Sequence, residues 1–235
     1  VLGEGTRHNV EDIEWDGNMI ENDFYRLTFD KQNGGLTSLY DKELDDELHD
    51  SSSEWSFGGL IYESLNRDRG QMERKVFKNY RREGLKDVRY TGAKKGDIFS
   101  SIYFNGKLEG CHDHPGVSVE FRLYNNVKRI EICYSLTRKP ETDPSGIYVS
   151  FPVDVENGKL KFDVPGGLVE AGVTQIPRTS TPWNTVQNFV SAQNDDSQVV
   201  ISTDAIPLFM MGELMNDPYR LVHKHEKTHM FSWIM

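Results

Sequence analysis

Residues 117–136 read VSVEFRLYNNVKRIEICYSL. Val117, Val119, Phe121 and Leu123 recur at every second position, and Ile130, Ile132, Tyr134 and Leu136 repeat the rhythm after Asn125-Asn126. Successive side chains of a strand point to opposite faces, so a period of two marks a half-buried β-strand rather than a helix. Asparagine tolerates the backbone of tight turns, so the stretch predicts two antiparallel strands and a short connection. Tyr25, Leu27 and Phe29 repeat the pattern in YRLTFD, and Lys31–Gly34 turns that run back into a second strand at 35–40. Turn signals at Asn33-Gly34-Gly35, Asn105-Gly106, Asn157-Gly158 and Asn194-Asp195-Asp196 separate strand-like runs at 85–90, 98–104, 147–152, 159–164, 185–192, 198–202 and 225–234. About a dozen short strands with such turns predict an all-β sandwich of two large antiparallel sheets, with a closed barrel as the alternative. Only 64–79 is compatible with a helix, and its apolar face (Leu65, Met72, Val76, Phe77) is thin.

The 235 residues suffice for one large β domain. Residues 18–235 are expected to form it, with 1–17 as a leader from a preceding module and the strand at the far end cut short. A net charge of −10 argues against a nucleic-acid surface, which needs clustered Lys and Arg. The one basic cluster, Arg67–Arg82, is interrupted by Asp68 and Glu73, and reads as a solvated face. No apolar run approaches the ~18–20 residues of a membrane span, so no membrane partner is expected. Two cysteines, Cys111 and Cys133, allow one bridge across neighbouring strands and no disulfide framework.

Residues 163–194, DVPGGLVEAGVTQIPRTSTPWNTVQNFVSAQN, read as one long connection punctuated by Gly and Pro, running into the strand at 185–192. Val164, Leu168, Val169, Val173, Ile176 and Trp183 are expected to pin it against a core. It is then either a binding surface or a packed loop that closes the end of the sandwich, and the residues alone leave both open. Four side chains are candidates for sugar contact: Gln175, Arg178, Trp183 and Tyr62. Pro177 fixes the backbone before the Arg178 guanidinium, whose planar fork suits hydroxyls or a carboxylate, and the Trp183 ring suits a pyranose face.

Cys111, His112, Asp113 and His114 lie together, as do His223, His225 and His229, which on a strand would share a face. Neither group has the spacing of a zinc site, so they read as loop and strand histidines. The acidic run Asp41, Glu43, Asp45, Asp46, Glu47 and Asp50 offers no apolar pocket to raise a carboxyl pKa, and reads as a solvated turn. No nucleophile elbow, phosphate loop or dinucleotide fingerprint occurs.

IENDFYRLTFDKQNGGLTSLYDKE, residues 20–43, resembles the opening of the C-terminal β region of glycoside hydrolase family 38, the α-mannosidases. The shared features are Asn22, Gly34-Gly35 and Tyr40-Asp41-Lys42. Residues 151–208 resemble the same family in their paired glycines, Gln-rich loop, Trp and Val-Gln strand. The resemblance implies a galactose-mutarotase-like supersandwich that follows a catalytic domain and a helical bundle. It also implies zinc-dependent retaining hydrolysis of α-mannosides by an aspartate nucleophile. Those catalytic carboxylates and zinc ligands belong to the catalytic domain, so no catalytic residue and no cofactor is assigned here. Relatives place the sandwich beside the active site, which makes Arg178 and Tyr62 candidates for the sugar-binding rim and the parent's own catalytic domain the expected partner. A stand-alone carbohydrate-binding module and an aldose epimerase-like protein are the alternatives.

Overall fold

The computed structural model describes residues 10–15, 18–66, 68–75, 78–177, 179, 181–215 and 225–235. In chain order these form β1 (Val10–Ile13), β2 (Met19–Glu21), β3 (Tyr25–Phe29), β4 (Leu36–Asp41), β5 (Asp46–Glu47) and β6 (Leu60–Ser64). After α1 (Gly70–Arg74) come β7 (Arg81–Glu83), β8 (Lys86–Gly96), β9 (Phe99–Lys107), β10 (Val117–Tyr124) and β11 (Ile130–Ser135). The remainder is β12 (Ser145–Phe151), β13 (Lys159–Val164), β14 (Gly167–Glu170), β15 (Trp183–Thr185), β16 (Phe189–Gln193), β17 (Gln198–Ser202), β18 (Leu208–Met211) and β19 (Met230–Trp233). The all-β class holds, and every ladder pairing between these strands is antiparallel.

The strands divide into four sheets rather than two large ones: β1-β8-β9-β10-β11, β15-β18-β19-β12-β6-β7, β14-β13-β16-β17 and β2-β3-β4-β5. A strongly twisted sheet rarely grows past ~10 strands without curling or splitting. Here sheet edges meet through isolated bridges, Leu36 to Phe57 and His49 to Val153, instead of continuing as ladders. One contiguous hydrophobic cluster draws on all four sheets, including Leu27 of β3, Phe121 of β10, Ile147 of β12 and Val190 of β16. β10 shows the period-two rule most cleanly, because Val117, Val119, Phe121 and Leu123 are all buried while the residues between them face outward. Phe121 meets Phe29 edge-on with ring centroids 5.1 Å apart, joining the first hairpin to the five-stranded sheet.

Several elements depart from expectation. Residues 185–192 are two strands in two sheets, since β15 pairs with β18 whereas β16 pairs with β13 and β17. Asn105-Gly106 lies inside β9, opposite Ser118 and Val117 of β10, so the chain turns later. Among the described residues of the stretch at 64–79, the helix is the five-residue α1. Buried Gln71 outbids a longer helix there: its amide donates to Leu65 O and Asn79 O, and its oxygen accepts Lys78 N and Asn79 N. The strand at 225–234 shrinks to β19. Cys111 and Cys133 are free thiols.

Candidate functional site

The long connection is built around one carboxylate. β13 and β14 form a hairpin whose two-residue turn puts Gly166 at φ +90, the left-handed region that glycine enters without strain. Asp163 on β13 then reaches 24–26 residues along the chain. Its Oδ1 accepts the backbone N–H of Gln187 (3.1 Å), Asn188 (2.8 Å) and Phe189 (3.0 Å), and its Oδ2 accepts Asn188 Nδ2 at 2.7 Å. Burial acts to raise the Asp163 pKa, but these amide donors outweigh it and hold the carboxyl below its ordinary value. The clamp fixes the bend where the chain leaves the six-stranded sheet and enters the four-stranded one.

Between β14 and β15, Gln175 laces the loop. Its Oε1 accepts Gly172 N at 2.7 Å and its Nε2 donates to Asn184 Oδ1 at 2.8 Å. Asn184 in turn donates to Thr181 O at 3.1 Å. Val164 and Val169 do pack on the core, but the expected apolar pins Leu168, Val173 and Ile176 do not: they are 60%, 59% and 76% exposed. The backbone is held by Asp163 and Gln175 instead, which frees three apolar side chains to face outward.

Trp183 of β15 enters a second hydrophobic cluster on the outer face of the six-stranded sheet, with Ile61, Tyr148, Met210 and Phe231. Its ring stacks on Tyr148 at 6.1 Å and meets Trp233 at 5.7 Å. Beside this aromatic group, Tyr148 Oη donates to Glu63 Oε1 at 3.2 Å, and Arg82 pairs with Glu63 at 2.5 Å. Burial first, then the Glu63 charge, pushes the Tyr148 phenol well up. Trp183 is half-buried, whereas Trp233 is the exposed indole of the pair. Sequence reading missed Trp233, Tyr148, Glu63 and Arg82. Strand parity would have placed Tyr148 and Glu63 on one face only once the β6–β12 register was known.

Tyr62 does not join that group. It points to the opposite face of β6, is 2% exposed, and donates from its hydroxyl to Glu141 Oε1 at 2.7 Å. Burial and then Glu141 push its pKa up to about 12. Arg178 lies outside the described residues; Gln175 reaches Asn184, the chain neighbour of Trp183, and neither Gln175 nor Trp183 joins Tyr62.

The acidic run is not simply solvated. Asp41 is buried and paired with Lys128 at 2.8 Å, and Asp50 accepts from Lys227 at 3.0 Å and meets His229 Nε2 at 2.8 Å. Among the described residues no group of three or more His, Cys, Asp or Glu is arranged to hold a metal ion. His223 lies outside them, His225 sits off the strand against Gly212, and His112 and His114 are exposed. His49, His225 and His229 are buried enough that desolvation lowers each pKa below 6.5, against the opposing pull of nearby carboxylates. A lowered folded-state pKa means that the unfolded chain binds more protons below pH 6.5. Stability is therefore whole above that pH and falls as the pH drops toward the folded values. Urea unfolding should give a midpoint that declines between about pH 6.5 and 5, before the carboxylates titrate; a flat profile there would contradict this reading.

Residues 20–205 match the family model of the glycosyl hydrolases family 38 C-terminal domain. The chain is similar in structure to an alpha-mannosidase from Enterococcus faecalis V583, with a TM-score of 0.63, 10% identity, and coverage of 99% of this chain and 26% of that one. It is similar also to a glycosyl hydrolase family 38 protein from Enterococcus faecalis, with a TM-score of 0.60, 11% identity, and coverage of 98% and 30%. At these identities the two structures speak to the fold alone. The chain spans between a quarter and a third of their length. No curated protein matches its sequence.

Proposed function

Because the chain belongs to the family of glycosyl hydrolase family 38 C-terminal domains, we propose that it is the non-catalytic β-sandwich part of an α-mannosidase-like glycosidase. Its four sheets are then the layers of a galactose-mutarotase-like supersandwich. Its job is to brace a catalytic domain and to lend loop residues to the sugar-binding rim. The observation that carries this reading is the 167–176 segment, where Leu168, Val173 and Ile176 are each exposed while Gln175 ties the backbone to Gly172 and Asn184. Three exposed apolar side chains in one hydrogen-bonded segment suit a partner surface more than open water. The occupant is the parent's own catalytic domain, since relatives of this fold are three to four times longer.

On this reading Arg178, Gln175 and Trp183 are the candidates for the sugar-binding rim. Tyr62 contributes through packing. Zinc and the paired carboxylates of a retaining mechanism would lie in the catalytic domain, and no step is routed through residues of this chain.

The isolated chain should not turn over an aryl α-mannoside, with or without added zinc. In the intact protein, Ile176→Asp should lower kcat/KM roughly tenfold or more, as expected when rim residues shift by about an ångström. Turnover by the isolated chain that is abolished by His112 or His225 substitution would overturn the proposal. So would full activity of the intact Ile176→Asp enzyme.

A further inference from the structure

Among the described residues the four sheets end in eight edge strands, and an edge leaves a row of backbone N–H and C=O groups without a ladder partner. Six of the eight, β1, β2, β5, β7, β11 and β14, carry charged side chains that blunt them. β15 is three residues long. β17 alone offers five residues, Gln-Val-Val-Ile-Ser, with no charge, no proline and a ladder to β16 free of any bulge. Among the described residues no strand pairs with its other side.

The outward groups of β17 follow from its ladder. Asn194 N donates to Ser197 O at 3.0 Å and Thr203 N to Asn188 O at 3.3 Å, which fixes the hydrogen-bonded pairs at both ends of the β16–β17 hairpin. Such pairs alternate along an antiparallel ladder, so Val199 with Ala192 and Ile201 with Val190 are the bonded pairs between them. Gln198, Val200 and Ser202 therefore turn their N–H and C=O away from β16. All three are exposed, Val200 by 50%. Val199 and Ile201 pack against the core and anchor the strand while its edge stays open.

We infer that β17 is a self-association edge, on which a second copy of this chain lays its own β17 antiparallel about a two-fold axis at Val200. The strand is its own complement in that register. Val200 faces Val200, Val199 faces Ile201 and Gln198 faces Ser202, so β-branched residues meet each other and polar residues meet each other. Every outward N–H and C=O of Gln198, Val200 and Ser202 then gains a partner on the other copy. The two four-stranded sheets merge into one of eight strands, within the ~10 that a twisted sheet tolerates. No charged pair forms inside the seam, whereas β7 laid on itself would set Arg82 against Arg82. Just beyond the strand ends, exposed Asp196 of one copy comes opposite Asp204 of the other, so salt should tighten the association. β14, which carries Leu168, is the opposite edge of the same sheet, so this seam and the loop offered to a catalytic domain are separate contacts.

A single strand pair is small for an interface, so the dimer is expected to be weak, with Kd on the order of 50 μM. Sedimentation velocity of the intact protein should show mostly monomer at about 5 μM and mostly dimer at about 500 μM. Val200→Lys, which sets two ammonium groups against each other on the axis, should raise Kd about tenfold or more. Val200→Pro should do the same, because it removes an outward N–H and leaves the bonds to β16 in place. Val200→Thr should stay within about threefold of the parent protein. Thermal unfolding of each variant at low concentration checks that the fold is kept. Oxidation of Val200→Cys should join two copies through residue 200, whose Cα atoms lie about 5.5 Å apart in a hydrogen-bonded pair. Ser202→Cys should not join to itself, because its two copies lie about 14 Å apart along the seam. Peptide mapping separates these products from cross-links through Cys111 or Cys133. A dimer indifferent to both Val200→Lys and Val200→Pro, a Kd that rises with salt, or equal cross-linking of Ser202→Cys and Val200→Cys would overturn the inference. So would an intact protein still monomeric at about 500 μM. In that case hydrogen exchange at the Val200 amide tells an edge covered by another segment of the parent from one left bare. Neither measurement depends on glycosidase activity, which reports separately on the rim.

Discussion

Replacing Asp163 with alanine is expected to lower stability by about 3 kcal/mol. The reason is the number of donors that depend on it. Three successive backbone N–H groups, Gln187 to Phe189, end on its Oδ1. An unpaired buried N–H costs about 1–3 kcal/mol, but Gln187 and Asn188 are exposed enough for water to replace part of the bond, which holds the total near the lower end. For a domain of this size that is roughly a 6–12 °C fall in Tm. Asp163→Asn keeps one acceptor oxygen and should lose only about 1 kcal/mol. The lowered folded pKa fixes the sign of the acid response: the clamp is fully present above the ordinary value of 3.8 and is lost as pH falls through the lower folded value. The same substitution loosens the bend between β15 and β16, so the intact protein should also lose activity at temperatures well below its unfolding. A change in Tm of under about 2 °C would show that the three amides do not depend on this carboxylate.

What could be read from the sequence followed distance along the chain. β10 was legible because its alternation and its burial coincide, with each of Val117, Val119, Phe121 and Leu123 facing one core. The β3–β4 hairpin was legible because its turn is local. The acidic run misled because its partners are far away: Lys128 for Asp41, and Lys227 and His229 for Asp50. The long connection misled for a related reason. Apolar content suggested pins, yet the loop is held by Asp163 and Gln175, polar groups whose donors cannot be guessed from spacing. Trp183 was singled out from the sequence, while its aromatic neighbours Tyr148 and Trp233 were not, because only the strand pairing brings them together. Two tyrosines show the limit most clearly. Tyr62 and Tyr103 both sit in strand-like runs, and parity cannot tell which face a second sheet will cover.

Tyr62→Ala is accordingly expected to behave as a core truncation, costing about 3–5 kcal/mol, rather than as the loss of a surface contact. The ring is among the largest fully buried side chains, and it packs so closely on the 108–111 turn that a Cβ on Gly110 would lie 2.5 Å from its Cε2. Removing it leaves a cavity beneath that turn and takes from Glu141 the hydroxyl that it holds at 2.7 Å. Tyr62→Phe separates the two roles, because it keeps the volume and drops only the hydrogen bond. Glu141 retains Ser145 at 2.8 Å, so the phenylalanine variant should lose about 1 kcal/mol. A rim residue would give the opposite order, with near-wild-type stability in both variants and a raised KM in the intact enzyme for each. Equilibrium unfolding of the pair, read beside KM, therefore decides between core and rim. Since β6 presents Tyr62 to the core and Glu63 to the outer aromatic face, the same strand serves as a control: Glu63→Gln should disturb Arg82 and Tyr148 while leaving the cavity under Gly110 filled.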